Sequence, residues 1–126
     1  MVKAVRKAGS GQGRYEVITT HNSFHGRTLG MIAASGQERL REGFGPAMPG
    51  FVYVPYNDLA AVEKAIGPKT AAVMIEGIQG EGGIIPAQPE YLLGLRTLTR
   101  EKGIHLVMDA VQCGHYRTGR FQSYLS

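Results

Sequence analysis

The feature that most constrains the fold is a pair of largely apolar segments, residues 71–75 and 104–108, each ending at a carboxylate. Continuous apolar runs of this length are typical of strands that are buried on both faces of a sheet. Glu76 follows the first segment and Asp109 follows the second. The pattern predicts a sheet whose central strands are covered on both sides, with a carboxylate at the end of each strand.

Helix and strand signals alternate along the rest of the chain. We predict further strands at residues 15–20 and 51–54, and helices at 2–8, 28–34, 58–66 and 89–102. Asn57 is predicted to cap the helix at 58–66, and Gly103 to end the last helix. Strands that alternate with helices indicate an α/β fold with a mostly parallel sheet covered by helices. No segment has the composition of a linker between two domains.

Composition excludes several classes of protein. The 126 residues are 43% hydrophobic and 19% charged, and no apolar run is long enough to span a bilayer. The net charge of +4 includes no block of more than two adjacent Lys or Arg residues. This distribution favours a solvated surface over a patch that binds nucleic acid. Cys113 is the single cysteine, so an internal disulfide is excluded, which fits a cytoplasmic protein with a buried thiol.

Three polar segments follow predicted strands, at residues 21–28, 76–83 and 109–114. Because ligands of open α/β sheets bind beyond the carboxyl ends of the strands, we expect these segments to converge on one site. The histidine, cysteine and carboxylate residues have no spacing that indicates a metal site. The glycine-rich residues 9–13 precede a strand instead of following one, so their position argues against a dinucleotide-binding loop.

Asp109 is the strongest single candidate in these segments. A carboxylate directly after a buried strand needs a cation or hydrogen-bond donors. Val111 lies on the same side of an extended chain and would add a flat apolar surface, which suits an aromatic heterocycle with a protonated ring nitrogen. Taken alone, Asp109 also fits a helix cap or a loop. Arg27 fits carboxylate or phosphate recognition or an ordinary surface position, and Phe24 fits stacking on a ligand or packing in the core.

Together the three segments resemble the large domain of the class-III aminotransferases, which are fold type I pyridoxal-phosphate enzymes. The matching sequences are NSFHGRTL at 22–29, EGIQGEGG at 76–83, DAVQCG at 109–114 and RTGR at 117–120. Their order and spacing match as well. The acetylornithine and ornithine aminotransferases are the most similar branch, also through YVPYND at 53–58.

The resemblance implies a set of residues for pyridoxal 5'-phosphate. The implied cofactor-binding residues are Phe24, Asp109, Ala110, Val111 and Gln112. As the catalytic residue, Asp109 would keep the pyridine nitrogen protonated, so that the ring can act as an electron sink. Phe24 and Val111 would press on its two faces. Gln112 would donate a hydrogen bond to the phenolic oxygen.

The resemblance also implies the substrates and the residues that bind them. Arg27 would hold a substrate carboxylate, Glu76 would line the site, and Glu81 would pair with an arginine that the family supplies later in the chain. The implied reaction moves an amino group from acetylornithine, ornithine or a similar ω-amino substrate to 2-oxoglutarate, in a homodimer. The alternatives are another reaction on this cofactor (a mutase, decarboxylase or racemase) or a non-catalytic remnant. A nucleotide-binding domain ranks below these, because two carboxylates in the loop at residues 77–83 and beside it would repel phosphate.

The chain departs from the family pattern in sequence and in length. Gly77 stands where the family usually has Pro, Ala110 where it usually has Glu, and Tyr116 where it often has Gly. Family members are several times longer. The resemblance therefore implies that residues 1–126 are part of the large domain, without the upstream phosphate loop and the downstream segment with the Schiff-base lysine. We expect this chain alone to be inactive and poorly soluble, because its sheet would expose edges.

Overall fold

A computed structural model describes residues 1–124 and contains strands and helices in alternation. The helices are α1 (Val2–Gly9), α2 (Leu29–Ala34), α3 (Leu59–Ala65) and α4 (Pro89–Glu101). The strands are β1 (Glu16–Thr20), β2 (Phe51–Val54), β3 (Thr70–Glu76), β4 (Ile78–Gln79), β5 (Ile85–Pro86) and β6 (His105–Asp109). In the part of the chain that is described, no helix is long and apolar enough to cross a membrane.

The main sheet has the strand order β2-β1-β3-β6, and all of its strand pairs are parallel. Every residue of β3 is buried, as its unbroken apolar sequence predicts. The register of β3 and β6 pairs Glu76 with Asp109 at the carboxyl ends of the two strands. The predicted α/β fold with a mostly parallel sheet is confirmed.

Helices cover the sheet on both faces because alternate residues of a strand point in opposite directions. On one face, Val73 and Ile75 of β3 pack with Leu95 of α4 in the larger core cluster, which also includes Val62 of α3. On the other face, Met74 belongs to a second cluster. Its buried members are Val5, Val17, Ala71, Ala72 and Met74. Strand β3 therefore supplies side chains to both cores and holds its carboxyl end firmly in place.

The cap of α3 differs from the prediction. Asp58 caps the helix, with its Oδ1 accepting the N–H of Ala61 at 2.9 Å. Asn57 instead has a φ of 62°, in the left-handed region that asparagine tolerates. Its side chain accepts the N–H of Gln88 at 2.9 Å and donates to the carbonyl of Pro86 at 3.2 Å. The prediction of Asn57 as the cap was wrong because these long-range bonds occupy its side chain.

The loop at residues 77–83 begins a short antiparallel hairpin of β4 and β5. Gln79 in β4 is fully buried. Its Nε2 donates to the hydroxyl of Thr20 at 3.0 Å and to the carbonyl of His21 at 2.9 Å. Both hydrogens of the amide are therefore used to hold this loop against the end of β1.

Candidate functional site

Segments from three strand ends meet at a small cavity of about 120 Å³. Its lining residues are Phe24, His25, Gly26, Glu76, Asp109, Val111 and Gln112. The strands that precede these segments, β1, β3 and β6, are neighbours in the sheet. The cavity therefore lies at the carboxyl edge of the sheet, where open α/β proteins bind ligands. The convergence that the sequence predicts is present in the structure.

Asp109 is the last residue of β6, and its side chain is 11% exposed. Its Oδ2 lies 2.7 Å from Nδ1 of His25, and its Oδ1 accepts the N–H of Val111 at 3.2 Å. The expectation that this carboxylate needs hydrogen-bond donors is met from within the chain. One donor comes from the loop after β1 and the other from the turn after β6.

His25 is the site residue that the sequence argument did not select. Its side chain is fully buried, and its Nε2 lies 3.1 Å from the hydroxyl of Thr19. Its backbone N–H donates to the hydroxyl of Ser35 at 2.9 Å. One signal could have identified it: Asp109 needed a donor, and this histidine stands beside Phe24 in a loop expected to meet that carboxylate.

Glu76 is a second carboxyl group at the cavity, and it is 3% exposed. Its Oε2 accepts the N–H of Phe24 at 3.1 Å. Burial raises the pKa of Glu76, and the charge of Asp109 raises it further, whereas the hydrogen bond from the Phe24 amide acts in the opposite direction. Burial therefore disfavours a second negative charge beside Asp109.

Val111 reaches the cavity by a different route from the one predicted. The strand ends at Asp109, and Val111 lies in the turn that follows, so the argument from an extended chain was wrong. The hydrogen bond from its N–H to Asp109 brings it beside the carboxylate. Val111 is 91% exposed, so its side chain forms an open apolar surface there. Gln112 follows in the same turn, and its Oε1 lies so close to Gly80 that a β-carbon at that glycine would approach it to 2.6 Å.

Three of the predicted site residues lie outside the lining of this cavity. Arg27 is exposed, and its guanidinium carbon lies 5.5 Å from the centroid of the Phe24 ring, so it adjoins the cavity across that ring. The carbonyl of Ala110 accepts the N–H of Gly114 at 2.8 Å. Glu81 lines a separate groove of about 520 Å³. The other residues of that groove are His21, Asn22, Gly36, Gln37, Glu38, Arg39 and Gly82.

Two of the departures from the family pattern lie in the segment that follows β6 or against it. Tyr116 has a φ of 64°, a conformation that favours glycine, which is the residue the family often has at this position. Gly77 lies against Ser123, whose Oγ would be 2.5 Å from a β-carbon at that position. A larger residue at Gly77 would require Ser123 to move.

The side chains at the cavity fit a flat heteroaromatic cation. The carboxylate of Asp109 can accept a ring N–H, the Phe24 ring and the open side chain of Val111 offer apolar surfaces, and Gln112 carries an amide donor. Among residues 1–124 there is no group of three or more side chains that could hold a metal ion. No lysine is among the described residues that line the cavity.

Fold and cavity together define a parallel α/β protein with a cavity at the carboxyl ends of its strands. The sequence model of the aminotransferase class-III family matches residues 1–125. The chain is 51% identical over 122 residues to acetylornithine aminotransferase 1 of Bradyrhizobium diazoefficiens, a match that covers 94% of this chain and 30% of that protein. It is 50% identical over 115 residues to the succinylornithine transaminase/acetylornithine aminotransferase of Pseudomonas aeruginosa, covering 91% of this chain and 28% of that protein.

Solved structures show the same relationship. The ornithine aminotransferase of Toxoplasma gondii matches with a TM-score of 0.90 and 35% identity, covering 97% of this chain and 30% of that one. The (S)-enantioselective omega-transaminase of Thermomicrobium roseum matches with a TM-score of 0.90 and 27% identity, covering 97% and 33%. This chain belongs to the class-III aminotransferase family and has the fold of the fold type I enzymes. It spans about 30% of the length of the curated relatives it matches.

Proposed function

We infer that the whole protein is a pyridoxal-phosphate-dependent aminotransferase that moves an amino group from acetylornithine, ornithine or a similar ω-amino substrate to 2-oxoglutarate. Membership of the family supports the cofactor and the reaction class. The names of relatives near 50% identity support the amino donor. The observation that carries the assignment of residues is the position of Asp109 in one cavity with Phe24, Val111 and Gln112.

Four residues of the cavity have chemical tasks at the cofactor in this proposal. Pyridoxal phosphate, when bound, supplies an electron sink for the substrate's amino-bearing carbon. Asp109 would hold the ring nitrogen in its protonated form, because an adjacent carboxylate favours a cation. Phe24 and Val111 would cover the ring faces and exclude water. Gln112 would donate its amide N–H to the ring oxygen, and Ala110 would follow Asp109 in the turn without contributing a charge of its own.

The substrate-binding roles depend on charge. Arg27 would bind a substrate carboxylate through its planar guanidinium group, and its place beside the Phe24 ring supports this role. Glu76 would line the site next to Asp109. Glu81 lies in a neighbouring groove and would pair with an arginine from outside this chain.

The proposal extends to the organisation of the whole protein. Residues 1–126 would form part of the large domain of a cytoplasmic homodimer, with amino-acid and 2-oxo acid substrates as its small-molecule partners. Cys113 is a free and buried thiol, which agrees with a reducing compartment. We expect the isolated 126-residue chain to be inactive, because none of its described lysines lines the cavity.

The role of Asp109 can be tested in the full-length protein with Asp109→Asn, which preserves the shape of the side chain and removes its charge. We expect turnover of acetylornithine with 2-oxoglutarate to fall roughly 100-fold or more, as for other preorganised charges at reacting centres. Asp58→Asn is the matched control, because asparagine caps a helix as well as aspartate does. Unchanged turnover in Asp109→Asn would refute the assignment. Glutamate as the product distinguishes transamination from mutase, decarboxylase and racemase reactions.

The role of Arg27 predicts a separate kinetic signature. Arg27→Ala should raise the KM for the carboxylate-bearing substrate with a smaller change in kcat, because the contact is made in the ground state as well as in the transition state. Arg100→Ala removes an exposed arginine from the last turn of α4 and serves as the control. Equal KM values for the two variants would contradict a substrate-binding role for Arg27.

A further inference from the structure

A chain of hydrogen bonds leads from a backbone amide to Asp109. The N–H of Gly36 donates to Oγ of Ser23 at 3.0 Å, and this oxygen lies 3.3 Å from Oγ1 of Thr19. Oγ1 of Thr19 lies 3.1 Å from Nε2 of His25, and Nδ1 of His25 lies 2.7 Å from Oδ2 of Asp109. Ser23, Thr19 and His25 are all buried.

The hydrogen bond from Gly36 to Ser23 favours one direction of donation for the other hydrogen bonds. A backbone N–H can only donate, so Ser23 accepts from Gly36 and its own hydrogen is free to point toward Thr19. Thr19 then accepts from Ser23 and donates to Nε2 of His25. Nε2 must be unprotonated to accept that hydrogen, and the ring proton lies on Nδ1, where it is donated to Asp109. In this arrangement every donor of the chain has an acceptor.

A doubly protonated imidazole would reverse the two hydroxyl groups. Nε2 of His25 would donate to Thr19, and Thr19 would donate to Ser23. The hydroxyl hydrogen of Ser23 would then have no acceptor among the contacts of residues 1–124, and its burial keeps water away. An unpaired buried donor is unfavourable. The ionisable groups that act on His25 are Asp109, in direct contact, and Glu76, whose negative charge burial disfavours. The charge of Asp109 favours a cationic imidazole, and the unpaired hydroxyl of Ser23 opposes it.

We propose that His25 is a positioning residue, held neutral with its proton on Nδ1 by the hydrogen-bond chain from Gly36 through Ser23 and Thr19. A neutral donor orients the carboxylate of Asp109 without cancelling its charge. The full negative charge therefore stays available to a cationic ring in the cavity. The use of that charge rests on the proposed function, whereas the protonation state of His25 can be measured independently.

The protonation state can be read by solid-state NMR of the full-length protein labelled with ¹⁵N-histidine. The signals of His25 are assigned by their disappearance in His25→Gln. At neutral pH we expect Nδ1 to be protonated and Nε2 to be bare and to accept a hydrogen bond. Protonation of both nitrogens, or of Nε2 alone, would overturn the proposal.

Substitutions of Thr19 test the cause of this state. Thr19→Ser and Thr19→Asn retain a donor for Nε2 and should leave His25 neutral. Thr19→Asp offers only acceptor oxygens when ionised, so it should draw a second proton onto Nε2. A bare Nε2 in folded Thr19→Asp would show that Thr19 does not control the state, which overturns the proposal. If Thr19→Asp does not fold, the spectra of the wild-type protein and of Thr19→Asn still test the proposal, because a doubly protonated His25 in either of them would overturn it.

The two proposals fail in different experiments. Full turnover in Asp109→Asn would refute the role that the proposed function gives to Asp109, and a neutral His25 would still be observed in the wild-type spectrum. A doubly protonated His25 in an active wild-type enzyme would refute the present inference and leave the proposed function standing.

Discussion

Gln79→Leu removes the two hydrogen bonds that hold the loop at residues 77–83 against the end of β1. Leucine is similar to glutamine in volume, so the main change is the loss of the amide donors. The hydroxyl of Thr20 loses a bond in a buried position, and the partly buried carbonyl of His21 loses its described side-chain donor. Each loss should cost about 1 kcal/mol, which gives about 2 kcal/mol in total or roughly a 30-fold shift in local opening.

Amide hydrogen exchange in the full-length protein measures this local opening directly. The N–H groups of Gly83 and Ile84 both donate to the carbonyl of Gly80 and report on the loop. In Gln79→Leu they should exchange roughly 30-fold faster. Gln12→Leu makes the same substitution at an exposed position and should leave these two amides unchanged. Equal exchange rates in wild type and Gln79→Leu would show that the buried amide does not hold the loop.

Three further changes address stability. Gly103 has a φ of 62° and open space around it, so Gly103→Ala should lower the free energy of unfolding in urea by about 1 kcal/mol. Gly67 also has open space but no left-handed φ, so Gly67→Ala should not lower it. Equal losses in the two variants would refute the conformational argument. Burial raises the pKa of Glu76 above its unfolded value, so its contribution to stability is full below the unfolded pKa and is lost as the pH rises through the folded pKa. Glu76→Gln should therefore flatten the dependence of Tm on pH across that window, and parallel curves for the two proteins would contradict this. The buried hydroxyl of Tyr91 has no described hydrogen-bond partner, and burial raises its pKa to about 12. Tyr91→Phe should therefore raise the free energy of unfolding by up to about 1 kcal/mol. A free energy of unfolding below that of the wild type would indicate a partner for the hydroxyl.

The central strands could be predicted because their signal is local. The apolar run of β3 reflects burial on both faces, and the need of Asp109 for a hydrogen-bond donor follows from its place after β6. The identity of that donor could not be derived in the same way. His25 is 84 positions away in sequence, and the contact depends on the order in which β1, β3 and β6 assemble.

Local sequence rules also could not assign different roles to polar residues that are close together in the sequence. Asn57 and Asp58 are both good helix caps, and the choice between them is made by the bonds of Asn57 to the loop before α4. Glu76 and Glu81 belong to one short segment. The hairpin of β4 and β5 nevertheless separates them, leaving Glu76 in the cavity and Glu81 in the adjacent groove.

Gly36 limits which substitutions the protein can accept at a position outside the cavity. It forms a parallel bridge with His21, and a β-carbon there would overlap the carbonyl oxygen of Thr20. Even alanine would therefore force the two backbones apart and withdraw the amide that begins the route to Asp109. A residue outside the lining of the cavity would then be constrained as tightly as Asp109, and a variant altered there would still contain every side chain of the cavity.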